Sequence, residues 1–165
     1  MTTFALVGAG PGPGLAAARR FGAAGHHVAL PARDADHLDA LVGELGGEGT
    51  RARGLTADVL DPASLTAVLD TAAKEPGLLF VNGGSALRPN PEVAGTSVAF
   101  AAEGAHAAML LDALAPENID AAQLIVPGAI RPDAEPSSPD ALAERLYAIH
   151  TERGACRHYA ESMPA

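Results

Sequence analysis

FALVGAGPGPGLAAARRFGAAG, residues 4–25, is the stretch whose reading decides the fold class. Phe4 to Val7 is a short apolar run with the look of a buried strand, and it runs out into glycines at 8, 10, 12 and 14. Leu15 to Ala24 then reads as a helix that Gly25 closes, because glycine adopts the left-handed backbone with which helices end. Strand, glycine turn and helix in that order make the opening of a βαβ unit.

The alternation continues downstream. His27 to Leu30 is a second strand, and Asp36 is placed to cap a helix whose Leu38, Leu41, Val42 and Leu45 share one face before Gly46-Gly47 stops it. Arg51 to Ala57 supplies a third strand leading into Asp58-Val59, and Asp61-Pro62 starts a helix with Leu65, Val68, Leu69 and Ala72 on its apolar side. Leu78 to Val81 is a fourth strand, followed by Asn82-Gly83-Gly84-Ser85, a proline-rich loop through Pro91 and a long alanine-rich helix to about Leu114. Leu124 to Val126 is the fifth strand. After Pro127-Gly128 and a polar loop, Ser138-Pro139 opens a last helix carrying Leu142, Leu146 and Ile149. Strands separated by helices of this length pair in parallel through right-handed crossovers. The expectation is an α/β, doubly wound, three-layer Rossmann-like sandwich with a parallel sheet of about five strands, in the order 3-2-1-4-5. One domain over residues 1–153 is expected, with a mobile tail over 154–165.

Composition narrows the function classes. The chain of 165 residues is 48% hydrophobic but only 4% aromatic, with 18 Gly and 13 Pro, so its core is built from Ala, Leu and Val. A formal charge of −9, with 11 basic residues in no dense cluster, disfavours nucleic acid and anionic membrane surfaces as partners. The one cysteine, Cys156, forms no internal disulfide, no basic signal-peptide start precedes FALV, and no apolar run is read as membrane-spanning. A cytoplasmic protein is expected.

Gly8, Gly12 and Gly14 fit G-x-x-x-G-x-G, whereas G-x-G-x-x-G fails because position 13 is proline. Such glycines let backbone approach a pyrophosphate, and the following helix turns its positive dipole end and N–H groups toward that charge. Nucleotide binding is the functional reading, and a purely structural tight turn is the alternative. The second strand exits through Pro31-Ala32-Arg33, with no acidic residue to bond a ribose 2′-hydroxyl. Arg33 either meets a 2′-phosphate by a charge-assisted contact or is a solvated arginine paired with Asp34 or Asp36.

These segments resemble the short-chain dehydrogenase/reductase family over nearly the whole chain. GAGPGPG is similar to its cofactor loop, Ala32-Arg33-Asp34 to its segment selecting the phosphorylated cofactor, and Ala57-Asp58-Val59 to its adenine-contacting stretch. LIVPGAI, residues 124–130, resembles the strand and Pro-Gly turn that lie along the nicotinamide. The resemblance implies NADP(H) as cofactor and Gly8, Gly12, Gly14, Arg33, Asp58, Val59, Asn82, Gly83, Pro127, Gly128 and Ile130 as cofactor-binding residues. For Asn82, a bond to the cofactor ribose and a simple cap on the strand end are equally open.

Departures from the family are as informative. Members run to about 250 residues, a size usual for one α/β domain, so one β-α unit is missing here. In the register that follows, the family's catalytic tyrosine falls near Phe100 and its lysine at Gly104. The only tyrosines are Tyr147 and Tyr159 and the only lysine is Lys74, so no Tyr-x-x-x-Lys pair exists anywhere. The family's chemistry needs a phenol made acidic by a neighbouring ammonium. Ser85 and His106 are the replacement candidates, against the plainer readings of a turn serine and a packing histidine. His26 and His27 stand at the far end of the sheet, no His, Cys, Asp or Glu group has metal-ligand spacing, and Cys156 has no activating base. Three functions remain: an NADP(H)-dependent oxidoreductase with a non-standard active site, a catalytically silent cofactor-binding module, and a non-redox isomerase, cyclase or dehydratase. The helix Val98 to Leu114 is apolar beyond one sheet-facing stripe, and Ala101, Gly104, Ala105 and Ala108 are small enough for close helix approach. A homodimer through that helix is expected, as the resemblance also implies.

Overall fold

Val28, Ala29 and Leu30 are all but excluded from water, and a strand covered on both faces needs such a continuous apolar run. They belong to the first of two compact units, Met1–Glu75 and Pro76–Ala165, into which the chain divides. The structure is a computed structural model that describes residues 3–8, 10–58, 60–72 and 77–163.

In the first unit, strand β1 (Thr3–Ala5), helix α1 (Pro13–Ala23), β2 (His27–Ala32), α2 (Ala35–Gly47), β3 (Ala52–Thr56) and α3 (Pro62–Ala72) follow one another. The three strands form a parallel sheet with β2 in the middle, pairing Phe4 with Val28 and Ala29 with Arg53. β1 is shorter than the apolar run suggests: Val7 and Gly8 are already in the turn, although the Leu6 N–H still reaches the Ala29 carbonyl at 2.9 Å. Leu15 and Ala18 of α1 and Leu38, Leu41 and Leu45 of α2 close over Val28 and Leu30. Each such leucine contributes about 2 kcal/mol of burial.

Two close approaches set how the helices lie. A Cβ on Gly22 of α1 would stand 2.4 Å from the Thr50 methyl, and one on Gly54 of β3 would stand 3.0 Å from the Leu38 Cβ. Phe4 and Phe21 stack at 3.8 Å between ring centres. On the surface Arg19 joins α1 to the end of α2, at 2.5 Å from Glu44 and 2.7 Å from Glu48. The hydrogen bond from Arg19 holds the Glu48 carboxyl below its ordinary range, but the groups are well exposed and such bridges stabilise little.

The second unit holds β4 (Gly77–Gly83), α4 (Ala94–Leu114), β5 (Asp120–Val126), α5 (Pro139–Glu152) and β6 (Arg157–Tyr159). Its sheet is parallel in the order β4-β5-β6, with Asn82 opposite Ile125 and Gly83 opposite Val126. Every residue of β5 from Ala121 to Val126 is buried. Helix α5 begins as its sequence implies, Ser138 accepting the Ala141 N–H at 3.2 Å ahead of Pro139, and it buries Leu142, Leu146 and Ile149.

The expected α/β alternation and parallel pairing are present, with β1-β2-β3 and β4-β5 adjacent as anticipated. The described residues form six strands, in keeping with the expected number, and the segment 154–165 contains β6, which docks on β5 with Leu124 opposite His158. Two readings are corrected. The cap of α2 is Asp34, not Asp36, since the Asp34 carboxylate accepts the His37 N–H at 3.1 Å. One helical stretch, Pro91–Glu117, is long and apolar enough by length and composition to cross a membrane, with a mean hydropathy of 1.3, where the sequence was read as having none. The side chains at 65, 68, 69 and 72, expected to form the apolar face of α3, lie outside the described residues.

Asp34→Ala removes an N-cap and is expected to lower stability by about 1 kcal/mol. Asp36→Ala leaves the cap in place and costs less. Urea unfolding of the two variants, compared at equal slope, checks the assignment.

Candidate functional site

Because β1 and β2 run in parallel and in register, both chains leave the first unit's sheet at the same edge. There Gly8 has φ +78°, a conformation that disfavours any side chain. At Gly8, Gly10 and Gly12 no described atom lies within 4 Å of where a Cβ would stand, so these glycines hold open a surface rather than relieve a clash. Gly12 is the N-cap of α1 and offers no side chain to it, Pro13 and Gly14 form its first turn, and that turn carries no acidic residue. The positive end of the helix dipole is thus left to whatever occupies the open side.

Arg33 follows β2 at this edge and is exposed. Among the described residues it forms no salt bridge or side-chain hydrogen bond, and the neighbouring Asp34 carboxylate accepts the His37 N–H as the α2 cap. Asp58 follows β3 half-buried, and its carboxylate accepts the Leu60 N–H at 2.9 Å. Val59 lies outside the described residues.

In the second unit the carboxyl ends of β4 and β5 meet closely. A Cβ on Gly84 would stand 3.1 Å from the Pro127 Cα, and one on Gly83 would stand 3.4 Å from the Phe100 ring. Asn82, only 2% exposed, lies inside a chain of side-chain hydrogen bonds. Its Nδ2 donates to the Glu103 carboxylate, and its Oδ1 accepts from Gln123 Nε2 at 2.7 Å. Gln123 Oε1 in turn accepts from Arg157 Nε at 3.1 Å. With both ends of its amide occupied in this way, Asn82 joins α4 to the sheet. Pro127 is half-buried, while Gly128 and Ile130 are exposed.

The replacement candidates are not brought together. Ser85 sits half-buried in a single 3-10 turn, Gly84–Ala86. His106 is exposed with its ring edge-on to Phe80 at 6.5 Å, three residues back from the end of β4, and no hydrogen bond among the described residues joins it to Ser85. Burial raises the Cys156 thiol above its ordinary range, with Asp120 and Asp112 adding to the effect and Arg157 opposing it, so it is a poor nucleophile. Tyr147 is on α5 and Tyr159 on β6. Lys74 lies outside the described residues.

Sequence reasoning missed Glu103, Gln123, Arg157 and Glu161. A signal for one was present: Gln123 is a lone amide in the otherwise apolar run of β5, and a buried polar group demands partners. Gly104, read above as part of a dimer seam, is instead the gap that accommodates it, since a Cβ there would stand 2.8 Å from Gln123 Nε2.

The short chain dehydrogenase family's sequence profile matches residues 2–92, more than half of the chain. A ketoacyl reductase of the granaticin polyketide synthase from Streptomyces violaceoruber is 43% identical over 76 residues, which are 46% of this chain and 28% of that protein. The chain therefore matches well under two thirds of that reductase's length. Among solved structures, a metagenomic short-chain oxidoreductase in complex with NADP superposes with a TM-score of 0.80 at 16% identity, over 99% of this chain and 97% of the other. An NADPH-bound short-chain oxidoreductase of Pseudomonas aeruginosa, described as containing an atypical catalytic center, superposes at 0.69 and 19% identity, over 76% and 70%. At such identities these two likenesses establish a Rossmann-like α/β fold.

Gln123→Leu keeps the bulk of the side chain but leaves Asn82 Oδ1 without its donor. A loss of about 1–3 kcal/mol is expected, read as an earlier midpoint in urea unfolding.

Proposed function

The chain belongs to the short-chain dehydrogenase family, and we propose that it is an NADP(H)-binding oxidoreductase-type protein with a non-standard active site. The observation that carries this reading is the pairing, on neighbouring strand ends, of an open glycine turn ahead of an uncapped helix with an exposed arginine that forms no ion pair among the described residues. The turn suits a pyrophosphate and Arg33 suits a 2′-phosphate. Asp58 is the candidate for the adenine side, and Pro127, Gly128 and Ile130 are assigned to the nicotinamide by family resemblance. NADP complexes of structural neighbours support the choice of cofactor. Bound NADPH supplies a hydride.

The proton is the difficulty. Phe100 lies against Gly83 where the resemblance expects a phenol, and it has no proton to give. Ser85 is the group we propose to orient a substrate oxygen; His106, beside the middle of β4, is the weaker candidate. The same feature favours a second reading, a cofactor-binding module without turnover. A cytoplasmic location is proposed from the sequence alone.

We further propose that α4 forms a homodimer. Val98 is 71% and Met109 61% exposed on a helix whose buried residues are only Ser97, Gly104 and Ala107. Ala101, Ala105 and Ala108 are exposed between them, and an apolar surface of this kind marks an interaction face.

NADPH is expected to bind about tenfold or more tightly than NADH by titration calorimetry, with Arg33→Ala removing the difference. Equal affinities in the unaltered protein defeat the cofactor assignment. Light scattering is expected to give twice the 16.6 kDa chain mass, falling to the monomer in Met109→Asp.

A further inference from the structure

Strand β6 carries more than its own three residues to the edge of the second unit's sheet. Its ladder sets Arg157, His158 and Tyr159 against Gln123, Leu124 and Ile125, and the Ala160 N–H continues it to the Ile125 carbonyl at 2.9 Å. The next residue is Glu161. Its carboxylate Oε1 accepts from the Ser137 hydroxyl at 3.1 Å, and the same oxygen lies 3.1 Å from where a Cβ on Gly128 would stand. Ser137 is 6% exposed and closes the loop that leaves β5: the Arg131 N–H donates to its carbonyl at 3.3 Å, and its own N–H donates to the Ala134 carbonyl at 2.8 Å. One half-buried carboxylate thus touches both the start of this loop, at Gly128, and its far end, at Ser137.

We propose that Glu161 is a positioning residue, holding the Pro127–Gly128 turn and the loop behind it at the end of β5 through Ser137. The consequence for ligand affinity rests on the NADP(H) reading above. A methyl group at position 128 would stand 3.1 Å from the Glu161 carboxylate and press on it. Docking of β6, anchored from its other side by Arg157 on Gln123, delivers Glu161 to this place. The segment after α5 is thereby part of the site, and the loop's shape depends on it.

Hydrogen–deuterium exchange of residues 128–137 in the full-length chain tests this without any ligand. Glu161→Ala and Ser137→Ala, which each delete one side of the hydrogen bond, are expected to speed exchange there about fivefold to tenfold. Glu161→Gln keeps an acceptor for Ser137 and is expected to restore protection. Wild-type exchange in both alanine variants, or no rescue by glutamine, overturns the proposal. In parallel, NADPH titration is expected to show affinity weakened threefold or more in Glu161→Ala and recovered in Glu161→Gln. Unchanged affinity beside faster exchange overturns the role at the ligand surface. Failure of the unaltered protein to bind NADPH overturns the cofactor reading instead, and the exchange data then decide the positioning role alone.

Discussion

The amide of Gln123 is the group around which the second unit is arranged. A side chain 1% exposed in the middle strand of a parallel sheet strands polar atoms in a poor solvent unless each finds a partner. The two neighbouring strands answer that demand, with Asn82 from β4 and Arg157 from β6, while Gly104 on α4 leaves the amide its room. The ends of the chain fix its direction. Arginine only donates and an ionised carboxylate only accepts, so with Arg157 at one end and Glu103 at the other both amides point one way. Depth of the helix and edge of the sheet are specified by the same four side chains.

That arrangement also bears on what stands at the positions where the resemblance places the family's Tyr-x-x-x-Lys pair. In the family register the ammonium of the missing pair belongs at Gly104, where even a methyl group collides with Gln123, and the phenol belongs at Phe100, whose ring packs on Gly83. The space has been taken over by a buried hydrogen-bond chain. In the register that the resemblance implies, a larger side chain at position 104 is incompatible with Gln123 where it stands, so tyrosine and lysine placed at these positions require Gln123 to be replaced as well.

What could be read from the sequence follows how local each cause is. The glycine turn, the exposed arginine after β2 and the serine cap of α5 depend on residues within a few positions of one another, and all three were legible. Asp34 and Asp36 are both acceptable caps, and the choice fell to where β2 releases the chain. β6 was invisible because Arg157-His158-Tyr159 has neither an apolar run nor alternation, and its strand character comes from β5 lending it a ladder. Glu103 and Glu161 look like ordinary solvated acids along the chain. Only tertiary structure reveals that one receives Asn82 and the other receives Ser137.

The contact between Gly22 and Thr50 has a genetic meaning. Alanine is normally the better helix residue by about 1 kcal/mol, but here its methyl would lie 2.4 Å from Cγ2 and 2.9 Å from Oγ1 of Thr50, while remaining 3.2 Å from Cβ. The two closest atoms are the two that separate threonine from alanine, and the Cβ that alanine would keep is a tight contact in its own right. Positions 22 and 50 are therefore expected to be coupled: a larger residue at the first is expected to be a lesion on its own, and a smaller one at the second to suppress it in part. Across descendants of this chain the two should change together, in that order of size.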